Sequence, residues 1–163
     1  MRWPLGAILA CLPGAAAAQE LTFSPRAVEA CLEIADSPRD CIGLSAQRCM
    51  EETPGGHSTV GMGGCLDREL SYWDDRLNTA YGAVMAQSRT QDAEMEQAGR
   101  PASGQAEALR DMQRAWITFR DAACAYEYST WGGGTGAGPA GAACLMRLTG
   151  EQALALEARL PRG

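Results

Sequence analysis

The chain has 163 residues, enough for one domain with a hydrophobic core and too few for two sizeable domains. Its 14 basic residues are all arginines and stand against 20 acidic residues, so a Schiff-base lysine and a Walker lysine are excluded. The acidic balance argues against nucleic acid and anionic membrane as partners, and a basic protein would be attracted instead.

The N-terminal stretch MRWPLGAILACLPGAAAAQE predicts a secretory signal peptide. Arg2 supplies the positive charge, an apolar run extends from Leu5 to Leu12, and an A-x-A cleavage site ends at Ala18. Cleavage removes Arg2 and changes the net charge from -6 to -7. A competing interpretation reads ILAC as a lipoprotein signal ending at Cys11, although only ten residues precede that cysteine.

No other stretch approaches the roughly 20 apolar residues of a transmembrane helix. We therefore expect a periplasmic or secreted protein with no stable membrane insertion after signal cleavage.

Signal cleavage would also leave six of the seven cysteines. An even set in an exported chain indicates disulfide bonds. No C-x-x-C pair is present, and the spacing of the first four matches no common zinc pattern, so no metal or cofactor is predicted. The six are Cys31, Cys41, Cys49, Cys65, Cys124 and Cys144.

The first predicted elements are two short helices in residues 24–52, separated at Ser37-Pro38. A Ser-Pro pair is typical of a helix start, so these helices form a hairpin. The next residues, TPGGHSTVGMGG, are rich in turn formers and predict a loop that ends at Cys65.

Three long helices are then predicted. Apolar residues at three- and four-residue steps indicate the first, from Cys65 to about Gln97. The second extends from Gln105 to about Tyr128, with Ser103 as its candidate N-cap. A Gly-rich loop separates it from the third, at about 140–160. The predicted class is all-α: a small disulfide-bonded antiparallel helical bundle with an N-terminal short helical hairpin.

Arg120 is predicted to lie inside the apolar face of the second long helix. That face also carries Leu109, Met112, Trp116 and Ala123. A buried guanidinium cannot lose its proton and needs a carboxylate partner. We expect Asp74, on the edge of the first long helix, to pair with it. Glu69 is the alternative, while the adjacent Asp121 points to a different face.

Signals for catalysis are weak. His57 is the single histidine and has no serine nucleophile motif to serve. Asp74 and Asp75 point about 100 degrees apart on a helix and form no dyad by themselves. The glycines at 132–138 lack the preceding strand and the following Gly-Lys of a phosphate loop. We therefore predict a protein that is not an enzyme, with a carboxylate hydrolase as the remaining enzymatic alternative.

Residues 49–160 resemble the family that contains the N-terminal domain of the lysozyme inhibitor LprI. The resemblance rests on the separated stretches CLDRELSYWDDRLNTAY, LRDMQRAWITFRDAAC and AACLMRLTGEQALALEARL. The matching positions are Cys65, Asp74, Leu77, Asn78, Tyr81, Leu109, Gln113, Trp116, Arg120, Asp121, Cys124, Cys144, Leu148 and Thr149. The resemblance implies an exported, disulfide-bonded, small helical bacterial domain whose best-known activity is inhibition of lysozyme.

The chain departs from this family at two places. Cys31 and Cys41 are additional to the common four-cysteine pattern, and Gly150-Glu151 stands where the family usually has an arginine. The expected organisation is therefore a signal peptide at 1–18, a cysteine-containing helical extension at 19–48 and an LprI-like domain at 49–163.

Six cysteines allow 15 pairings. We favour Cys31 with Cys41 across the hairpin bend, Cys49 with Cys65 and Cys124 with Cys144. The last pair would clamp the Gly-rich loop, which is the candidate partner-binding site. The loop residues are Trp131, Gly132, Gly133, Gly134, Thr135 and Gly136.

The expected function is binding to a protein, with a lysozyme-like muramidase as the suggested partner. An envelope structural or assembly module that binds another periplasmic protein is the alternative.

Overall fold

A computed structural model describes residues 20–161, so the predicted signal peptide at 1–18 and Cys11 lie outside the described residues. The described chain contains five α-helices and a short 3-10 helix, with no strand, and the predicted all-α class is confirmed. The elements are α1 (Arg26–Ile34), the 3-10 helix (Pro38–Cys41), α2 (Leu44–Glu52), α3 (Thr59–Gln97), α4 (Gln105–Ser129) and α5 (Ala137–Glu157). Within the same residues, no helix combines the length and apolarity needed to cross a membrane.

Helix α3 begins at Thr59, six residues before the predicted start at Cys65. The Ser58 hydroxyl accepts a hydrogen bond from the Gly61 amide at 3.1 Å and caps the helix. A side chain at Gly61 would collide with the backbone of Gly55 and Gly56. Glycine is therefore required here by close packing, and the prediction of a loop up to residue 64 was wrong.

The core forms where α3 packs against α5. Trp73 of α3 is fully buried, and Ala153 and Leu156 of α5 are buried with it. Leu148 and Leu154 of α5 are only half-buried. Small residues of α5 thus lie on the inner face, because the large ring of Trp73 occupies the space between the two helices.

A bidentate ion pair holds the C-terminal end of α5 against α3. The guanidinium of Arg76 donates to both carboxylate oxygens of Glu157 at 2.8 Å, and to the Tyr72 hydroxyl at 2.8 Å. The hydrogen bond to Glu157 raises the pKa of Arg76 further above its usual range. Two parallel charge-assisted hydrogen bonds fix both position and orientation of the helix end.

The turn between α3 and α4 is closed by Asp92 rather than by the predicted cap Ser103. The carboxylate of Asp92 accepts hydrogen bonds from the α4 amides of Gln105 and Ala106, at 3.1 and 3.0 Å. The Ser103 hydroxyl donates to the same carboxylate at 2.7 Å. The Ala106 amide, followed by the Ser103 hydroxyl, lowers the pKa of Asp92 below its ordinary value of 3.8.

The N-terminal hairpin contains the 3-10 helix in addition to the two predicted helices. Gly43 has a φ of 101° and separates the 3-10 helix from α2, so the second helix begins later than Pro38. The predicted boundary between residues 48 and 49 falls inside α2 and remains a prediction.

The three disulfides join Cys31 to Cys41, Cys49 to Cys65 and Cys124 to Cys144, as favoured from the sequence. Each links elements that follow one another in the chain: α1 to the 3-10 helix, α2 to α3, and α4 to α5. In the chain-entropy account, each closure of this length stabilises the fold by about 3 kcal/mol.

A candidate binding end formed by the glycine-rich loop and a groove

The loop between α4 and α5 is shorter than the sequence suggested. Helix α5 begins at Ala137 rather than near Ala140, so only residues 130–136 connect the two helices. Gly132 and Gly133 have φ values of 56° and 81°, which other residues rarely adopt. The amide of Gly134 donates to the Trp131 carbonyl at 2.9 Å. The loop is therefore a defined turn, and the Cys124–Cys144 disulfide joins the two helices that it connects.

Trp131 is the large side chain of this loop and is 49% exposed. Its ring lies against Gly136, where any side chain would collide with it. An aromatic ring that packs against its own loop and is about half exposed is a favourable contact for a protein partner, because little conformational entropy is lost on binding.

A groove with a volume of about 940 Å³ lies next to this loop. We call it the end groove. The start of α3, the last turns of α4 and the start of α5 form its walls. Its lining includes Val60, Gly63, Tyr128, Pro139 and Leu145. Gly63 and Gly138 leave open space where other residues would place a side chain, which explains part of its width.

The lining of the end groove is mostly apolar and includes two carboxylates. Asp67 of α3 and Asp121 of α4 both line it. Among the described residues, no ion-pair partner is found for Asp67, while Asp121 pairs with Arg120. An apolar groove beside a free carboxylate suits a protein segment that carries both an apolar and a basic side chain.

Arg120 does not pair with Asp74, and this prediction was wrong. Its guanidinium lies 2.8 Å from the Asp121 carboxylate and 5.0 Å from the centre of the Trp116 ring. Asp74 instead accepts a hydrogen bond from Asn78 at 3.0 Å. The Arg120 side chain is 19% exposed, so it is not fully desolvated. It bends along its own helix to reach Asp121, although the two residues leave the helix in different directions.

Among the described residues, the fully buried carboxyl group is that of Glu69, which the sequence offered only as an alternative partner for Arg120. It is fully buried and accepts hydrogen bonds from the Gly43 and Ala46 amides at 2.6 Å and from the Trp73 indole at 2.9 Å. Gly43 and Ala46 lie at the start of α2, where the free amides and the helix dipole favour an anion.

The remaining motif residues hold the helices together. Gln113 of α4 accepts a hydrogen bond from Gln152 of α5 at 3.1 Å. Tyr81 and Trp116 are half-buried against the core. Of the motif residues, Asp121 lines the end groove, whereas Arg120 lines a separate pocket together with Asp74.

The residues that the sequence missed are those of the end groove. Val60 and Gly63 were assigned to a loop, and Tyr128 was only the end of a helix. The exposed His57 precedes α3. Within residues 20–161, no group of three or more His, Cys, Asp or Glu side chains is arranged to hold a metal ion.

The fold and this end define a class: small all-α domains closed by disulfides, with a short aromatic loop beside an open groove. The sequence profile described as "Lysozyme inhibitor LprI" matches residues 49–156, well over half of the chain. The protein therefore belongs to the LprI lysozyme inhibitor family. The description of this family names an inhibitor of lysozyme, which supports a protein-binding, inhibitor-like role.

Two curated relatives are themselves uncharacterized. The chain is 26% identical over 132 residues to a 17.7 kDa protein in the puhA 5' region of Rhodobacter capsulatus, covering 78% of this chain and 81% of that protein. It is 37% identical over 60 residues to a protein of Rhizobium meliloti (strain 1021), covering 37% of this chain and 43% of that protein. No solved structure matches the chain.

Proposed function

We propose that the protein is an exported inhibitor that binds a lysozyme-like cell-wall hydrolase. The match of residues 49–156 to the lysozyme inhibitor family is the observation that carries this proposal. Three disulfides support export, because such bonds persist in oxidising compartments. The predicted signal peptide and periplasmic or secreted location belong to the same proposal.

The contact surface that we propose is the loop from Trp131 to Gly136 together with the end groove. Trp131 offers a supported aromatic ring, and the groove beside it offers an apolar surface with the free carboxylate of Asp67. The acidic chain would be attracted to a basic muramidase, and this attraction would weaken with salt.

The test is the lytic rate of a basic lysozyme on bacterial cell walls with the exported protein in molar excess, at low and moderate salt. We expect the lytic rate to fall with the wild-type protein. We expect Trp131→Ala to need at least a tenfold higher concentration for the same inhibition. Ile34→Ala is the matched control, because Ile34 is also exposed but lies on α1 in the N-terminal hairpin. An unchanged lytic rate with wild-type protein would remove the proposal and favour the envelope assembly module.

A further inference from the structure

Helix α4 has an apolar face whose residues are exposed in the described chain. Only Leu109 and Cys124 of its 25 residues are buried. Six exposed apolar residues follow one another at alternating steps of four and three, which places them on one side of the helix. They are Ala108, Met112, Ala115, Phe119, Ala122 and Tyr126. We call this face the α4 stripe.

The large residues of the stripe are displayed to solvent. Phe119 is 60% exposed and Tyr126 is 72% exposed. Met112 is 37% exposed, and its sulfur accepts a hydrogen bond from the Gln152 amide of α5 at 3.5 Å. The stripe lies on a different side of α4 from the end groove, which is lined by Asp121, Cys124, Ala125 and Tyr128. It is therefore a second apolar surface.

The order of residues along the stripe is complementary to itself. Alanine and a large residue alternate strictly over its whole length. When two α4 helices are placed antiparallel around residue 117, every large side chain meets an alanine. Phe119 faces the second copy's Ala115, Met112 faces its Ala122, and Tyr126 faces its Ala108. Large against small at each layer is the arrangement that fills space without overlap.

We propose that a second copy of this chain covers the α4 stripe, with the two α4 helices antiparallel. Charge does not oppose this pairing, because Asp111, Thr118 and Ala125 flank the stripe on one side, and the Asp111 residues of the two antiparallel copies lie at opposite ends of the contact. No like charges meet along that flank.

The size of the stripe sets the strength of the dimer. Residues 108 to 126 span about 27 Å of helix, and a helix is about 10 Å wide. A contact of this size is smaller than the roughly 800 Å² per partner of a standard stable interface. The dimer therefore forms at high protein concentration and dissociates on dilution.

The dimer has one consequence that rests on the proposed function. The loop at Trp131 lies about 21 Å along the helix from the twofold axis, so the two loops point away from each other at a separation of about 42 Å. Each loop remains accessible, and one dimer would bind two partner molecules.

Sedimentation velocity of the exported wild-type protein tests the proposal. Between about 10 µM and about 500 µM we expect the mean mass to rise from one chain toward two. Ala115→Glu places a charge in the stripe and should weaken association at least tenfold. Ala86→Glu, at an exposed alanine of α3 outside the stripe, should leave it unchanged. Unchanged thermal unfolding of both variants shows that the fold is intact.

A residue exchange tests the pairing itself. Ala115→Phe alone sets phenylalanine against Phe119 of the second copy and should prevent the dimer. Adding Phe119→Ala restores one large and one small residue at that layer and should restore association.

A single mass for wild-type protein at every concentration would overturn the proposal, as would equal association of wild type and Ala115→Glu. Lysozyme inhibition by Ala115→Glu should equal that of wild type, so this test and that of the proposed function fail separately.

Discussion

Glu69 joins α3 to the start of α2 through one carboxylate. It lies on α3, binds the Trp73 indole within the core and accepts both amide hydrogen bonds from the start of α2. A buried carboxylate is tolerated only when such donors surround it. Arg120, by contrast, keeps contact with solvent and is neutralised by its neighbour Asp121. The stability of the fold therefore depends on the acidic residue more than on the basic one.

The first prediction compares these two residues. Glu69→Gln replaces an acceptor oxygen by an NH2 group that faces N–H donors, and should lower the free energy of unfolding by about 2 to 4 kcal/mol. Arg120→Leu removes a partly exposed ion pair and a contact with Trp116, and should cost less than about 1 kcal/mol. Urea unfolding with the disulfides intact measures both. A larger loss for Arg120→Leu would contradict our assignment of the buried charge.

At the scale of the helices, ends are fixed by side chains from neighbouring elements. Asp92 of α3 caps α4, and Glu69 of α3 binds the start of α2. Helix α5 approaches Trp73 closely because Gly150 has no side chain: a Cβ there would lie 3.1 Å from the indole and 2.9 Å from Ile42 of the hairpin. The hairpin and α5 are thus fitted to each other.

The second prediction concerns Asp92 and pH. Its pKa is lowered in the folded protein, so its contribution to stability is present above its ordinary value of 3.8 and is lost as the pH falls through the lower folded value. Asp92→Asn should therefore lower Tm at neutral pH, and this difference should shrink in strong acid. Thermal unfolding of both proteins from about pH 7 to about pH 2 measures it. A difference that persists unchanged in acid would contradict this role of the carboxylate.

The third prediction concerns Gly150, where α5 lies close to Ile42 and the Trp73 ring. Gly150→Arg would push Ile42 and the Trp73 ring apart and should destabilise the protein by at least about 1 to 3 kcal/mol. Gly82→Arg is the control, since Gly82 is an exposed residue of α3 with open space around it. The control should be neutral or stabilise by up to about 1 kcal/mol through helix propensity. Equal effects at the two positions would argue against the close fit.

The spacing of apolar residues was sufficient to predict the long helices. It failed at the helix starts and contacts that tertiary packing determines. The end of α3 at Gln97 and the start of α4 at Gln105 follow from apolar spacing and turn residues. The starts of α3 and α5 were missed, because glycine disfavours isolated helices yet is needed at Gly61 for close contact. The partner of Arg120 was missed because a helical projection gives directions but not the distance between two helices.

At the scale of the whole molecule, the scaffold and the proposed binding end are separate. The core between α3 and α5, with Glu69 and the Arg76–Glu157 ion pair, carries the stability. The loop and end groove contain few buried residues, and the Cys124–Cys144 disulfide connects them to the scaffold. The sequence predicted the loop of the proposed binding end. It did not predict the end groove, because the groove forms only where three helices meet.

The most direct measurement is the lytic rate of a basic lysozyme with the wild-type protein and with Trp131→Ala side by side. Our account predicts that wild type slows lysis, that Trp131→Ala inhibits at least tenfold less well, and that both unfold at the same temperature. No inhibition by folded wild-type protein at low or moderate salt would contradict the proposed function. Full inhibition by Trp131→Ala would contradict the proposed binding end.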